Sequence, residues 1–147
     1  MILTPAALAF LADARRATLA TIDPDGLPRL VPICLVLAPG EAAAAPVLYT
    51  PLDEKPKTVA DPRALARVRD ILVRPDVTVL IDRWSEDWTE LAWLRVAGQA
   101  ALLEPDAIPP GIVAQLRTKY PQYEGHDLES RPLIRIAIER AASWGAL

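Results

Sequence analysis

The chain has 147 residues and a formal net charge of −3, and 52% of its residues are hydrophobic while 24% are charged. This balance indicates one folded domain over residues 1–147 and excludes a disordered chain. It carries no basic excess of the kind that nucleic acid attracts, and no apolar run approaches the roughly 18 residues of a membrane span.

Cysteine and histidine are almost absent, which excludes several kinds of site. Cys34 is the single cysteine and His126 the single histidine, so neither a disulfide framework nor a metal centre built on these residues is expected. The apolar stretch 3–12 lacks the preceding basic segment of a secretory signal. We therefore expect a cytoplasmic protein without a bound metal.

The first half of the chain predicts a helix followed by strands. Thr4-Pro5 combines a capping hydroxyl with a proline suited to the first helical turn. Residues 18–22 are β-prone and end at the turn Asp23-Pro-Asp-Gly26, after which 27–37 return as the second strand of a hairpin. A further short strand is expected at 47–50.

The second half alternates single helices with strands. Asp61-Pro62 begins a helix that ends before Pro75, and the β-branched run 77–81 predicts a strand buried on both faces. The remaining predicted elements are a strand at 93–103, a helix at 110–119 and a strand at 133–139. Because the strands are mostly consecutive, we predict an α+β fold, an antiparallel β-barrel with short helices at its rim.

The loop after the strand at 47–50 is the strongest candidate for binding chemistry. Lys55 and Lys57 flank a proline, Thr50 stands at the strand end, and Arg67 or Arg69 on the following helix could complete a phosphate cradle. Residue types alone favour the other interpretation, a solvated charged loop.

Aromatic residues are the second candidate, and no catalytic constellation accompanies them. The four tryptophans are Trp84, Trp88, Trp93 and Trp144, which could stack on a flat ring, form a subunit interface or pack in the core. The polar segment between Trp84 and Trp88 makes core packing a poor account of those two. No catalytic acid, base or nucleophile is expected.

Several stretches together resemble the pyridoxamine 5′-phosphate oxidase-like split-barrel proteins, and within them a small F420-dependent group found largely in actinobacteria. The similar stretches are Ala17–Ile22, Asp25–Pro28 and Val31-Pro32, then Leu48–Thr50, Asp53–Lys57 and Arg67–Ile71, and finally Val79–Asp82, Glu86–Trp88, Trp93–Gly98 and Lys119–Tyr123. They extend over nearly the whole chain in order.

The resemblance implies a split-barrel homodimer with two FMN or F420 sites at its interface. It implies that Thr50, Lys55 and Lys57 hold the cofactor phosphate, with Tyr49 nearby, and Arg67 joins this set on the residue types given above. Strand residues Pro32, Ile33 and Cys34 would line the ring, while Trp88 and Trp93 would be interface or ring-side residues that the other subunit could contribute.

Two positions depart from the family pattern as the resemblance presents it. Asp70 stands where asparagine is expected and Arg29 where histidine is common. An acid near a phosphate weakens its binding, so Asp70 is expected either to pair with an arginine or to point away.

Two functions remain open from the sequence. The first is an F420- or FMN-dependent oxidoreductase that moves a hydride between the cofactor and a small conjugated substrate. The second is a non-catalytic protein that stores, carries or senses the same cofactor.

Overall fold

In the computed structural model, which describes residues 3–41, 45–55 and 59–147, helices and strands follow one another much as predicted. The α-helices are α1 Pro5–Asp13, α2 Ala66–Val73 and α3 Ile112–Lys119. The strands are β1 Ala17–Ile22, β2 Pro28–Ile33, β3 Val36–Ala38, β4 Val47–Pro51, β5 Asp76–Arg83, β6 Ala92–Leu103 and β7 Leu133–Gly145. Short 3-10 turns lie at Pro62–Ala64, Trp88–Glu90, Pro105–Ala107 and Pro121–Gly125.

The strands form one antiparallel sheet in the order β2-β1-β5-β6-β7-β4-β3. Its two edge strands, β2 and β3, are consecutive in the chain and are joined by only Cys34 and Leu35. The three Cα–Cα steps from Ile33 to Val36 span no more than about 11 Å, so the sheet must curl until its edges approach each other. Because β2 and β3 do not pair, the barrel stays open along this line. The fold is the α+β split barrel that the sequence predicted.

The inner face of the sheet carries the main core, and α1 and α2 pack against it. Leu19, Val79 and Val96 follow one another across the register of β1, β5 and β6 and are fully buried. A smaller cluster packs under α3 and contains Tyr49, Tyr120 and Tyr123. No helix in the described ranges is both long and apolar enough to cross a bilayer.

Three predicted elements differ in detail from the structure. The strand expected at 27–37 is two strands, since the chain turns from one sheet edge to the other at Cys34 and Leu35. The helix expected from Asp61-Pro62 begins with a separate 3-10 turn, and only Ala66–Val73 is α-helical. The last strand continues past residue 139 to Gly145 because its partner β6 is long enough to pair with it over this whole length.

The prediction that 77–81 is buried on both faces is wrong for the single chain. Val77, Val79 and Ile81 are buried, whereas Leu80 between them is 39% exposed. The helix α3 covers the outer face of the sheet at β3 and β4 but leaves it open at β5, so Leu80 points outward.

Candidate functional site

The open line of the barrel contains a cavity of about 320 Å³. Its walls come from the end of β2, the end of β4, the loop after β4, and α2. The lining residues are Arg16, Val31, Pro32, Ile33, Cys34, Thr50, Pro51, Asp53, Lys55 and Arg67. Six of the residues that the sequence singled out therefore meet in one place: Pro32, Ile33, Cys34, Thr50, Lys55 and Arg67.

Positive charge dominates this cavity. Arg16, Lys55 and Arg67 line it, and Asp53 is its only acidic residue among those described. Thr50 adds a hydroxyl from the strand end. Cations and a hydroxyl around one space are the groups that bind a phosphate or carboxylate.

Arg67 is the most informative of the three cations. Its Nε is buried and has no hydrogen-bond partner among the described residues. Burial lowers the pKa of this guanidinium, an effect that the charge of Asp53 partly offsets. A buried donor without an acceptor is costly, so this position is one that an anionic ligand would stabilise.

Asp53 organises the lysine loop through a buried contact. Its carboxylate accepts hydrogen bonds from Lys55 Nζ and, at 2.5 Å, from the hydroxyl of Tyr123. Lys55 Nζ also lies 3.2 Å from that hydroxyl. Burial, together with the bond to Asp53, raises the pKa of Tyr123, which therefore stays protonated. Lys55 is thus tied to two side chains at the cavity, while 57% of its own side chain stays exposed to solvent.

The segment 126–131 holds the backbone of the same loop. Arg131 donates to the carbonyl oxygens of Leu52 and Asp53, at 2.5 and 3.0 Å. The amide of Glu54 donates to His126 Nδ1 at 3.3 Å, and the Glu54 carboxylate accepts from the amide of Asp127 at 2.9 Å. These bonds fix residues 52–54 relative to the cavity.

Four of the predicted site residues are not in the cavity walls described. Lys57 lies outside the described residues. Tyr49 is buried in the cluster under α3, on the opposite side of β4 from Thr50. Trp88 is 71% exposed in its 3-10 turn, and Trp93 is half-buried on β6 opposite Trp144.

Asp70 is paired, as one of the two expectations for it required. Arg29 Nε donates to its Oδ2 at 2.8 Å, and the Thr21 hydroxyl donates to the same atom at 2.7 Å. The two departures from the family pattern are therefore partners of each other.

The sequence did not single out three residues that the structure brings to the site. Arg16, which directly precedes β1, lines the cavity. Asp53 and Tyr123 share a buried hydrogen bond, and both contact Lys55 Nζ. Asp53 and Tyr123 are far apart in the chain, and their pairing depends on the packing of α3. Among the described residues, no group of three or more histidine, cysteine or acidic side chains is placed to hold a metal ion.

Comparisons with known proteins agree with this architecture. The profile of the pyridoxamine 5′-phosphate oxidase family matches residues 3–145. No curated protein matches the sequence significantly.

Solved structures with the same fold have diverse descriptions. The conserved hypothetical protein Rv2991 from Mycobacterium tuberculosis is 19% identical, with a TM-score of 0.70 over 99% of this chain and 86% of that chain. The heme storage protein HutZ from Vibrio cholerae is 16% identical, with a TM-score of 0.62 over 99% and 95% of the two chains. A protein described as an F420 reductase is 16% identical, with a TM-score of 0.61 over 91% and 94%. At these identities the likeness establishes the fold alone.

Proposed function

Because the chain belongs to the pyridoxamine 5′-phosphate oxidase family, we propose that it binds FMN or F420 in the cavity between β2, β4 and α2 and acts as an oxidoreductase on a small conjugated substrate. The observation that carries this proposal is Arg67, which lines the cavity and whose buried Nε has no partner among the described residues. Both cofactors carry a phosphate whose oxygens can accept from its guanidinium.

The donor set around Arg67 fits a phosphate better than a neutral group. Lys55 is held beside the cavity by Asp53 and Tyr123, so it loses little side-chain entropy when a ligand binds. Thr50 offers a hydroxyl, and Arg16 adds a further positive charge. Lys57 belongs to this phosphate-binding set in our proposal, on the sequence grounds given above.

The apolar side of the cavity suits a conjugated ring. Val31, Pro32 and Ile33 line it at the end of β2, and Cys34 follows them. These residues would orient the ring and exclude water from one of its faces, while the cations hold the phosphate at the other end. A bound flavin or deazaflavin supplies hydride transfer, so no side chain needs to act as an essential acid or base, and we assign none.

A homodimer is part of the proposal, because several large apolar side chains are exposed on the outer face of the sheet. Leu30 on β2, Leu80 on β5 and Trp144 on β7 are 66%, 39% and 54% exposed. They lie on the face opposite the core, and exposed apolar surface of this extent is typical of an interface. A second copy on this face would bring Trp88 and Trp93 toward a cofactor site as residues from the other subunit.

The alternative is a non-catalytic protein that binds the same cofactor to store, carry or sense it. One neighbour of the same fold is described as a heme storage protein, so the split barrel also occurs in proteins with storage roles. The alternative shares the cavity and its cations and differs only in lacking turnover. We propose a cytoplasmic location for either function. A chain with a single cysteine has no internal disulfide, and so it needs no oxidising compartment.

Titration of the purified protein with FMN, F420 and hemin, followed by absorption, tests the binding proposal. We expect saturable binding of FMN or F420 well below millimolar concentration. Lys55→Ala combined with Lys57→Ala should cost about 2–4 kcal/mol of binding free energy, since both ammonium groups make charge-assisted bonds. Arg74→Ala, which removes an exposed charge outside the cavity, is the matched control.

Binding of hemin alone, or an equal loss in the Arg74 variant, would refute the phosphate assignment. Turnover then separates the two functions. An oxidoreductase should reoxidise the reduced cofactor rapidly when a conjugated acceptor is added, and a storage or carrier protein should not.

A further inference from the structure

A second cavity, of about 350 Å³, adjoins the first. It shares Cys34 and Lys55 with the cofactor cavity, so a molecule in one would lie against a molecule in the other. Its remaining lining residues are Arg15, Tyr120, Gln122, Tyr123 and His126. The proposed function makes no use of this space.

Aromatic rings form the walls of the second cavity, and they are held rigidly. The ring centres of Tyr120 and Tyr123 lie 5.6 Å apart at 58°, and the His126 ring meets the Tyr123 ring edge-on at 5.4 Å. The hydroxyl of Tyr120 accepts from the amide of Leu35 and that of Tyr123 donates to Asp53, so both are already engaged. The rings therefore offer flat faces to a ligand and few polar groups.

Arg15 and Lys55 both bring positive charge to this cavity, and Arg15 belongs to it and not to the first cavity. Its guanidinium lies 4.7 Å from the centre of the Tyr120 ring and donates one hydrogen bond, of 2.7 Å, to the carbonyl oxygen of Lys119. It forms no ion pair within the described residues. Lys119 lies over the same ring and donates to the carbonyl oxygen of Leu35. Arg15 and Lys119 thus both lie over the Tyr120 ring and both donate to backbone carbonyl oxygens. The remaining N–H groups of the Arg15 guanidinium can donate to an anion.

We propose that this second cavity binds the substrate, and that the substrate is a flat, unsaturated carboxylate whose anionic end is held by Arg15. The proposal rests on the proposed cofactor site, because it places the substrate beside the ring. The aromatic walls select a conjugated body by stacking, and the guanidinium selects a carboxylate over a neutral group.

Cinnamate and its uncharged isostere cinnamamide are matched probes for this site. Titration of each into the cofactor-free protein, followed by NMR, should show that cinnamate binds about tenfold or more tightly than cinnamamide. Arg15→Gln should remove that difference, whereas Arg74→Gln should keep it. A protein saturated with its cofactor should still bind cinnamate, since the two cavities adjoin and do not overlap.

Two results would overturn the proposed anion site. Equal affinity for cinnamate and cinnamamide, or binding of neither, would refute the proposal that the substrate is an anion. This result does not depend on whether Arg15→Gln folds. Displacement of cinnamate by the cofactor places the anion in the phosphate cavity instead. A flat cofactor titration with cinnamate binding intact refutes the proposed function but not this anion site, so the two failures are distinguishable.

Discussion

Arg29 and Asp70 neutralise each other on the inner side of β2, where Arg29 Nε donates to Asp70 Oδ2 at 2.8 Å. Asp70 is buried in α2, one turn from Arg67, and its side chain is 2% exposed against 40% for Arg29. The pairing explains how an acid is tolerated on the helix that carries Arg67, the arginine of the proposed cofactor site. Its charge is satisfied by Arg29 and by the Thr21 hydroxyl, and so is not presented to a phosphate.

Asp70 should matter more to stability than Arg29, although they form one pair. Asp70→Ala leaves the buried hydroxyl of Thr21 without its acceptor, which should lower the free energy of unfolding by about 1–3 kcal/mol. Arg29→Gln removes a partner that solvent already screens, so its effect should be clearly smaller. Urea unfolding of the two variants measures both. Equal losses would show that the ion pair, and not the buried hydroxyl, dominates.

The sequence predicted an antiparallel barrel with short helices because its turns and strand runs are local signals, whereas the split form was implied by the family resemblance. Asp23-Pro-Asp-Gly26 indeed forms a turn, with Gly26 at a φ of 82° that glycine tolerates. The break at Cys34 could not be predicted, since 27–37 is uniformly β-prone and only the closure of the sheet makes the chain change edges there.

The candidate site was predictable in part for the same reason. Lys55 and Thr50 are close in the chain, and their meeting follows from a strand and the loop after it. The bond between Asp53 and Tyr123 joins residues 70 positions apart, so it depends on tertiary packing that no local pattern encodes. The orphaned Nε of Arg67 likewise becomes visible only when burial is known.

Lys119 should make the stability of the protein depend on pH above 8. Burial, together with the charge of Arg15, lowers its pKa from 10.5 to about 8, while Asp13 and Cys34 act in the opposite direction. Between pH 8 and 10.5 the unfolded chain therefore binds a proton at this site that the folded chain does not. The contribution of Lys119 to stability should rise with pH across this window and be constant below it.

Comparison with Lys119→Met isolates that contribution from other groups that titrate in the same range. The free energy of unfolding of the natural chain, relative to the variant, should increase from pH 8 to pH 10. A difference that does not change with pH would mean that Lys119 stays exposed to water in the folded protein.

Leu80→Glu should dissociate the proposed homodimer without unfolding the chain. Leu80 projects from the outer face of β5 and is already partly exposed, so a charge is tolerated in the monomer but not in an apolar interface. We expect the dimer dissociation constant to rise by about 100-fold or more, measured by light scattering over a dilution series. Leu72→Glu is the matched control, since Leu72 is exposed on α2 away from the sheet face. A monomeric natural chain at micromolar concentration, or an equal effect of Leu72→Glu, would contradict this interface.

Arg67→Met should separate ligand binding from stability, because its two effects have opposite signs. In the free protein the substitution removes a buried donor without a partner among the described residues, so the free energy of unfolding should be unchanged or raised by about 1 kcal/mol. In the complex the same substitution removes a charge-assisted bond to the phosphate, so cofactor affinity should fall about 10- to 100-fold. Urea unfolding without cofactor and absorption titration with FMN and F420 measure the two effects independently. A variant that is destabilised yet binds the cofactor normally would show that Arg67 serves the fold, and the phosphate would then have to be held by other residues.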